Sequence, residues 1–334
     1  MRATPPNRSL LASPSLRLAL LPLAALAVAG CGPANAGVPG RSDVVELPIT
    51  GTIYTIVLEN HGVGAVLGGA NPYLSSLAAE YGTGNAYLVD VHPSLPNYIH
   101  MTSGSTAGIG DNGPPAAHSI DGTDNLADQL EAGGITWRAY MDGMGEPCAV
   151  EDVGRYAVRH DPFVYYTSLT SDRARCEEHV VDFETHFTDD LAANRFQFMW
   201  VTPDVCNDMH DCPTTTTDEW LSRVVPQILA SPGYQEGGAI FLLWDEGDAD
   251  ATYAWSVAFH RPQNVPFILI SEHLVSRGFV SNTRYAHDSY LATVEDAFGL
   301  PRLSTTVHST PMADFFLADP WGADAATAAS PLGI

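Results

Sequence analysis

The sequence predicts an α/β protein whose central sheet is mostly parallel and covered by helices on both faces. Three observations predict it. Short apolar runs rich in β-branched and aromatic residues recur along the chain, helical stretches alternate with them, and no internal repeat or second domain interrupts the alternation. Strands buried on both faces read as continuous apolar runs, as these do.

In chain order, residues 1–30 read as a lipoprotein signal peptide. Arg2, Arg8 and Arg17 supply the positive region, and Leu18 to Ala29 is an apolar run too short to span a bilayer as a mature helix. The run ends in Val28-Ala29-Gly30-Cys31, which resembles a bacterial lipobox. That likeness makes Cys31 the first mature residue and the site of a lipid. The alternative is an ordinary signal peptide with Cys31 incidental. Residues 31–44 read as a tether. The expected setting is an exported, membrane-anchored lipoprotein at the cell surface or outer membrane.

A single domain is expected over 45–316. Strands are predicted at Ile53 to Leu58, Thr136 to Met141, Phe196 to Thr202, Ala239 to Trp244 and Val265 to Ile270. Helices are predicted at Tyr73 to Tyr81, Asn97 to Ser103, Asn125 to Ala132, Asp218 to Leu229 and Tyr290 to Phe298. Residues 104–124 read as a loop, 142–190 as an excursion over the sheet, and 317–334 as a loose tail.

The net charge is −24, and all 15 basic residues are Arg. A basic patch for nucleic acid is excluded, and so are P-loop and Schiff-base chemistries, which need Lys. So acidic a protein binds an anion only with local help, and metal ions supply it. Beyond Cys31, four cysteines suggest two disulfides in an exported chain. Three pairings are possible; Cys206 with Cys212 and Cys148 with Cys176 is preferred. No C-x-x-C spacing supports a thiolate metal site.

Polar residues gather where the predicted strands end. The first strand runs into Glu59-Asn60-His61. The third ends in Pro203-Asp204, followed by Asn207, Asp208 and His210. The fourth ends in Asp245-Glu246-Gly247-Asp248. Ligands of open α/β sheets bind at the carboxyl ends of strands, and three acidic ends on one rim suggest a cation site. His92-Pro93-Ser94-Leu95-Pro96-Asn97-Tyr98 sets a serine between two prolines just before a helix, where free N–H groups favour an anion. Ser94 is either a nucleophile there or a plain helix cap. His287 precedes the last helix, which closes in Phe298-Gly299-Leu300-Pro301.

Together these motifs resemble the bacterial phosphoesterase family of acid phosphatases and C-type phospholipases, within the alkaline-phosphatase-like superfamily. The likeness runs in order from about residue 52 to about 302. The short spacing and the Glu-Asn-His start are similar to the small secreted acid phosphatases, some of which act on phosphoinositides. The phospholipase branch carries Arg-Ser-Phe after Glu-Asn, where this chain has His61-Gly62-Val63.

The resemblance implies an alkaline-phosphatase-like three-layer α/β/α sandwich and a metal-dependent phosphomonoesterase acting through a phosphoserine on Ser94. It implies that Glu59, Asn60, Ser94, Asp245 and Glu246 hold one divalent ion. Asp204, His210 and His287 then hold a second ion or meet the phosphate, with His210 or His287 handling protons. Carboxylates, Asn and a hydroxyl suit Ca²⁺, Mg²⁺ or Mn²⁺; histidines with Asp suit Zn²⁺ or Fe. The expected partner is a phosphate-ester substrate. Rival readings are a phosphodiesterase or phospholipase C and, in another class, a non-catalytic Ca²⁺-binding surface lipoprotein. A sulfatase lacks its C-x-P-x-R signature here, and a serine esterase its G-x-S-x-G.

Overall fold

The computed structural model describes residues 45–248 and 261–318, all within one compact unit. The expected signal peptide, the Cys31 tether and the tail beyond residue 318 lie outside the described residues.

Ten strands are described: β1 Ile53–Leu58, β2 Gly82–Gly84, β3 Leu88–Val89, β4 Trp137–Met141, β5 Val180–Asp182, β6 Phe198–Thr202, β7 Ala239–Trp244, β8 Gln263–Asn264, β9 Phe267–Ser271 and β10 Val280–Ser281. Eight form one sheet in the order β10-β2-β9-β7-β1-β6-β4-β5, and β3 pairs with β8 apart from it. Within the large sheet β9 alone runs against the others. β1 lies at the centre, parallel to both β6 and β7, and every residue of β1 and β7 is buried.

Successive strand residues point to opposite faces, so two neighbours in β1 show what covers each face. Thr55 bonds Tyr290 of the helix His287–Ala297 at 2.6 Å. Tyr54 bonds Ser231, just past the helix Thr214–Leu229, at 2.9 Å. Helices therefore cover both faces, and the expected three layers are present.

The excursion over 142–190 is more ordered than its sequence pattern. It adds β5 to the sheet edge and carries the helices Arg173–His179 and Phe183–Ala193. Asp182 caps the second helix by accepting from the Thr185 N–H at 3.1 Å. The cysteines pair as preferred, Cys148 with Cys176 and Cys206 with Cys212. Closing the longer loop, with a sequence separation of 28, restricts the unfolded chain by about 3.6 kcal/mol.

The Gly-Leu-Pro close is locked by Arg302. Its guanidinium donates to both Asp296 carboxylate oxygens, at 2.8 and 2.6 Å, and to the Thr306 carbonyl at 3.0 Å. Asp296 is 3% exposed. Arg302→Ala leaves that carboxylate buried with only the Val45 N–H at 3.2 Å. The expected loss is about 3–5 kcal/mol in urea unfolding, with catalytic activity per folded molecule unchanged.

Candidate active site

Because β1, β4, β6 and β7 run the same way, their carboxyl ends share one edge of the sheet. Glu59 follows β1 directly and Asp245 follows β7. The Asp245 N–H donates to the Leu58 carbonyl at 2.9 Å, continuing the ladder past the last strand residue. Asn60 turns the chain in the left-handed region, at φ 56°, which a short polar side chain tolerates. Its N–H then donates to Asp245 Oδ1 at 3.0 Å.

Ser94 opens the ten-residue helix Ser94–Ser103, three residues earlier than the sequence pattern suggested. Its hydroxyl donates to Glu59 Oε2 at 3.1 Å. One turn on, the Asn97 amide donates to Glu246 Oε2 at 3.2 Å and to the carbonyls of Val91 and Pro93, fixing the approach to Ser94. His92 Nδ1 meets Glu246 Oε2 at 2.9 Å. The first expected set is thus gathered: Glu59, Asn60, Ser94, Asp245 and Glu246 surround the start of one helix.

The second set differs from expectation. Asp204 is spent on its own turn: Oδ1 accepts the Cys206 and Asn207 N–H groups, both at 2.8 Å. The chain then folds back so that the Asp208 carbonyl accepts the Glu59 N–H at 2.8 Å, which carries Asp208 inward in place of Asp204. His287 is fully engaged. Nε2 donates to the Asp245 carbonyl at 2.7 Å, and Nδ1 accepts from the Tyr87 hydroxyl at 3.0 Å. It braces the Asp245 backbone and offers no free nitrogen to an ion or phosphate.

The place expected of His287 is taken by His160, from the aperiodic stretch. Its Nδ1 meets Asp208 Oδ2 at 3.1 Å and its Nε2 lies 3.3 Å from Glu59 Oε1. The Tyr98 ring stacks on it at 5.3 Å, fixing its plane. Ligand atoms of Glu59, His160 and His210 all lie within 4.8 Å of one another. His210 Nδ1 donates to Asp211 at 2.7 Å, and its Nε2 accepts from Arg159 Nη2 at 3.2 Å. His160, Asp208 and Arg159 were not among the expected site residues; only Asp208, in the segment after Pro203, carried any signal.

Four carboxylates, Glu59, Asp208, Asp245 and Glu246, are at most 4% exposed. Burial, then the charges of Asp245 and Asp208, pushes Glu59 well above the usual carboxylate range. Burial raises Asp208 well above it too. Burial and then Glu246 push Asp245 up to about 7, and burial pushes Glu246 up to about 8. Burial, with Arg159 and His210 nearby, holds His160 well below the usual imidazole range. Burial, then His100, lowers His287 to about 3.

These residues fit a divalent ion. Among the described residues, Glu59 Oε1, Asp245 Oδ2 and His160 Nε2 are buried without a hydrogen-bond partner, so lone pairs converge that an ion would satisfy. With Nδ1 turned to Asp208, neutral His160 presents Nε2 as a ligand, oriented as metal-binding imidazoles are.

The three-layer fold that carries this site is the fold of solved proteins of the alkaline phosphatase superfamily. A protein of the alkaline phosphatase superfamily from Vibrio parahaemolyticus superposes with a TM-score of 0.57 at 12% identity, covering 80% of this chain and 73% of that one. The lipoteichoic acid synthase of Listeria monocytogenes superposes with a TM-score of 0.54 at 12% identity, covering 82% and 80%. Such identities establish the fold alone.

The chain belongs to the Phosphoesterase family, whose model matches residues 65–301. A phosphate-repressible acid phosphatase of Penicillium chrysogenum is 30% identical over 241 residues, 69% of this chain and 55% of that protein. A phosphatidylinositol-3-phosphatase of Mycobacterium tuberculosis is 24% identical over 272 residues, 81% of this chain and 84% of that one. The chain thus spans about half the length of the fungal acid phosphatase, and most of the mycobacterial protein.

Proposed function

We propose that the protein is a metal-dependent phosphomonoesterase of the acid phosphatase kind, acting through a phosphoserine on Ser94. One observation carries the reading: the Ser94 hydroxyl donates to a fully buried carboxylate whose other oxygen has no hydrogen-bond partner. A helix cap would turn its hydroxyl to the backbone N–H groups of its own helix.

Glu59, Asn60, Ser94, Asp245 and Glu246 would hold one ion, and Glu59, His160, Asp208 and His210 form the candidate for a second. A divalent ion in such a site supplies positive charge to the transferring oxygens and lowers the pKa of the serine hydroxyl. The chain's own groups do the rest. Ser94 Oγ bonds to phosphorus as the bond to the leaving alcohol breaks, and its proton departs along the hydrogen bond to Glu59. The leaving oxygen takes its proton from solvent at the rim. Water then attacks the phosphoserine and gives up a proton to solvent, Glu59 returns its proton to Ser94 Oγ, and phosphate is released. His287 is a positioning residue for Asp245. The lipobox-like segment at 28–31 adds a membrane-anchored setting to this activity, with small phosphate esters as substrates.

The test is to quench the enzyme during turnover of a phosphomonoester and search for a phosphate-sized mass increment on the peptide holding Ser94. The increment is expected with monoesters. Faster turnover of a lipid phosphodiester would favour a phospholipase, and cation binding without hydrolysis of any ester a non-catalytic binding protein.

A further inference from the structure

Beside the acidic centre lies a cleft of about 520 Å³, a size that holds a small organic group. Its walls are the loop around Pro114 and Pro115 on one side and Val150, Val158, Val164 and Tyr165 on the other. Both walls are tied down. The Tyr165 hydroxyl donates to the Gly113 carbonyl at 3.0 Å, and the Val158 N–H donates to Asp152 Oδ1 at 2.8 Å.

Two lining residues also belong to the centre. Asn112 Oδ1 accepts the N–H of Leu95, the residue after Ser94, at 2.9 Å. Arg159 donates to His210 Nε2 at 3.2 Å. The cleft therefore borders both the start of the Ser94 helix and the His210 rim.

We propose that this cleft seats the alcohol portion of the substrate, that the preferred alcohol is apolar or aromatic and carries no second phosphate, and that Arg159 at the junction orients the phosphoryl group. The inference rests on the phosphomonoesterase reading and deepens it. The chemistry of the walls selects the class. Proline, valine and tyrosine surfaces gain from removing apolar area from water. Glu151 and Asp152 also line the cleft, and two carboxylates there repel a second phosphate. Arg159 is half-buried, and its planar fork matches two phosphoryl oxygens in a pocket otherwise rich in acids. Its side chain makes a single hydrogen bond to His210, which a turn toward the phosphoryl oxygens would exchange.

The test compares kcat/KM for naphthyl phosphate, glycerol phosphate and a sugar bisphosphate in the wild-type protein, Ala116→Trp and Val150→Asp. Ala116 lines the cleft, and both positions are exposed, so each side chain can change without disturbing the core. The wild type is expected to favour naphthyl phosphate over glycerol phosphate about tenfold, and the bisphosphate least. In both variants the naphthyl-to-glycerol ratio should fall about tenfold, with melting temperatures near wild type. Arg159→Ala should raise KM for every ester and weaken inhibition by inorganic phosphate about tenfold, leaving the ratio intact.

An unchanged ratio in folded Ala116→Trp or Val150→Asp overturns the cleft assignment while leaving the phosphatase reading standing. A wild type that releases phosphate from none of the three esters overturns that reading, and the cleft assignment with it.

Discussion

Ser94→Ala is expected to lower phosphomonoester turnover at least about 10⁴-fold, because the displaced alcohol then has no protein oxygen to replace it. The fold should survive. Ser94 is 2% exposed, and alanine fits the same volume while leaving Glu59 Oε2 without its donor. That loss costs about 1–3 kcal/mol, visible as a small drop in melting temperature. Cysteine at the same position supplies a nucleophile but a poor ligand for a hard cation, and should recover little. The measurements are phosphate release under saturating substrate and a thermal melt of the same sample. Wild-type-like hydrolysis by Ser94→Ala, or partitioning of the phosphoryl group with no trace on the Ser94 peptide of the native enzyme, rejects the covalent route.

Chelation is expected to abolish hydrolysis and to make stability fall as pH rises. The sign follows from the four buried acids. Each holds its proton more tightly in the folded chain than in the unfolded one, where carboxylates titrate near about 4. Between that pH and the raised values, about 7 for Asp245 and about 8 for Glu246, the native state binds more protons than the unfolded state. The protonated centre therefore supports the fold fully at low pH, and that support is lost as pH climbs through about 7 to 8. For one carboxylate raised as far as Asp245 the loss is on the order of 4 kcal/mol.

Cations invert the slope, because a ligating carboxylate must be deprotonated. The melting temperature should rise on cation addition far more at pH 8 than at pH 5. Adding back Ca²⁺, Mg²⁺, Mn²⁺ and Zn²⁺ singly to the chelated protein identifies the ion by which one restores both melt and rate. Asp208→Asn, which removes the charge oriented on His160, should raise the cation concentration needed by about 10- to 100-fold. A chelated protein that keeps full activity and a pH-independent melt would falsify the metal-dependent scheme.

β1 and β7 are legible in the sequence to the residue, because central parallel strands are buried on both faces and read as unbroken apolar runs. β9 begins two residues later than its apolar run. Pro266 lacks the N–H that the ladder needs, so pairing starts at Phe267. The short strands β2, β5 and β10, the last two at the sheet edges, are two or three residues long and carry no periodicity to find.

The same division runs through the site. Glu59, Asn60, Asp245 and Glu246 are legible because they follow strands whose ends must share an edge. Ser94 is legible because prolines flank it. The pattern favours Asp204, the first acid after β6, yet the backbone N–H groups of the turn claim it, and the chain delivers Asp208 four residues later. His160 is invisible in one dimension. It arrives on a long excursion, and a histidine between Arg159 and Asp161 carries no spacing that distinguishes a ligand from a surface residue. His287 fails for the opposite reason: it is close in space to the centre, but both its nitrogens are committed to holding it together.

The two cystine links divide the molecule by order of completion. None of the ten strands contains a cysteine, so the sheet can assemble whatever the redox state of its surroundings. His160 rides on the segment clasped by Cys148 and Cys176, and Asp208 with His210 on the one clasped by Cys206 and Cys212. A chain kept under reducing conditions would thus present an assembled scaffold whose histidine half is untethered, and thiol oxidation becomes the licence that turns scaffold into enzyme.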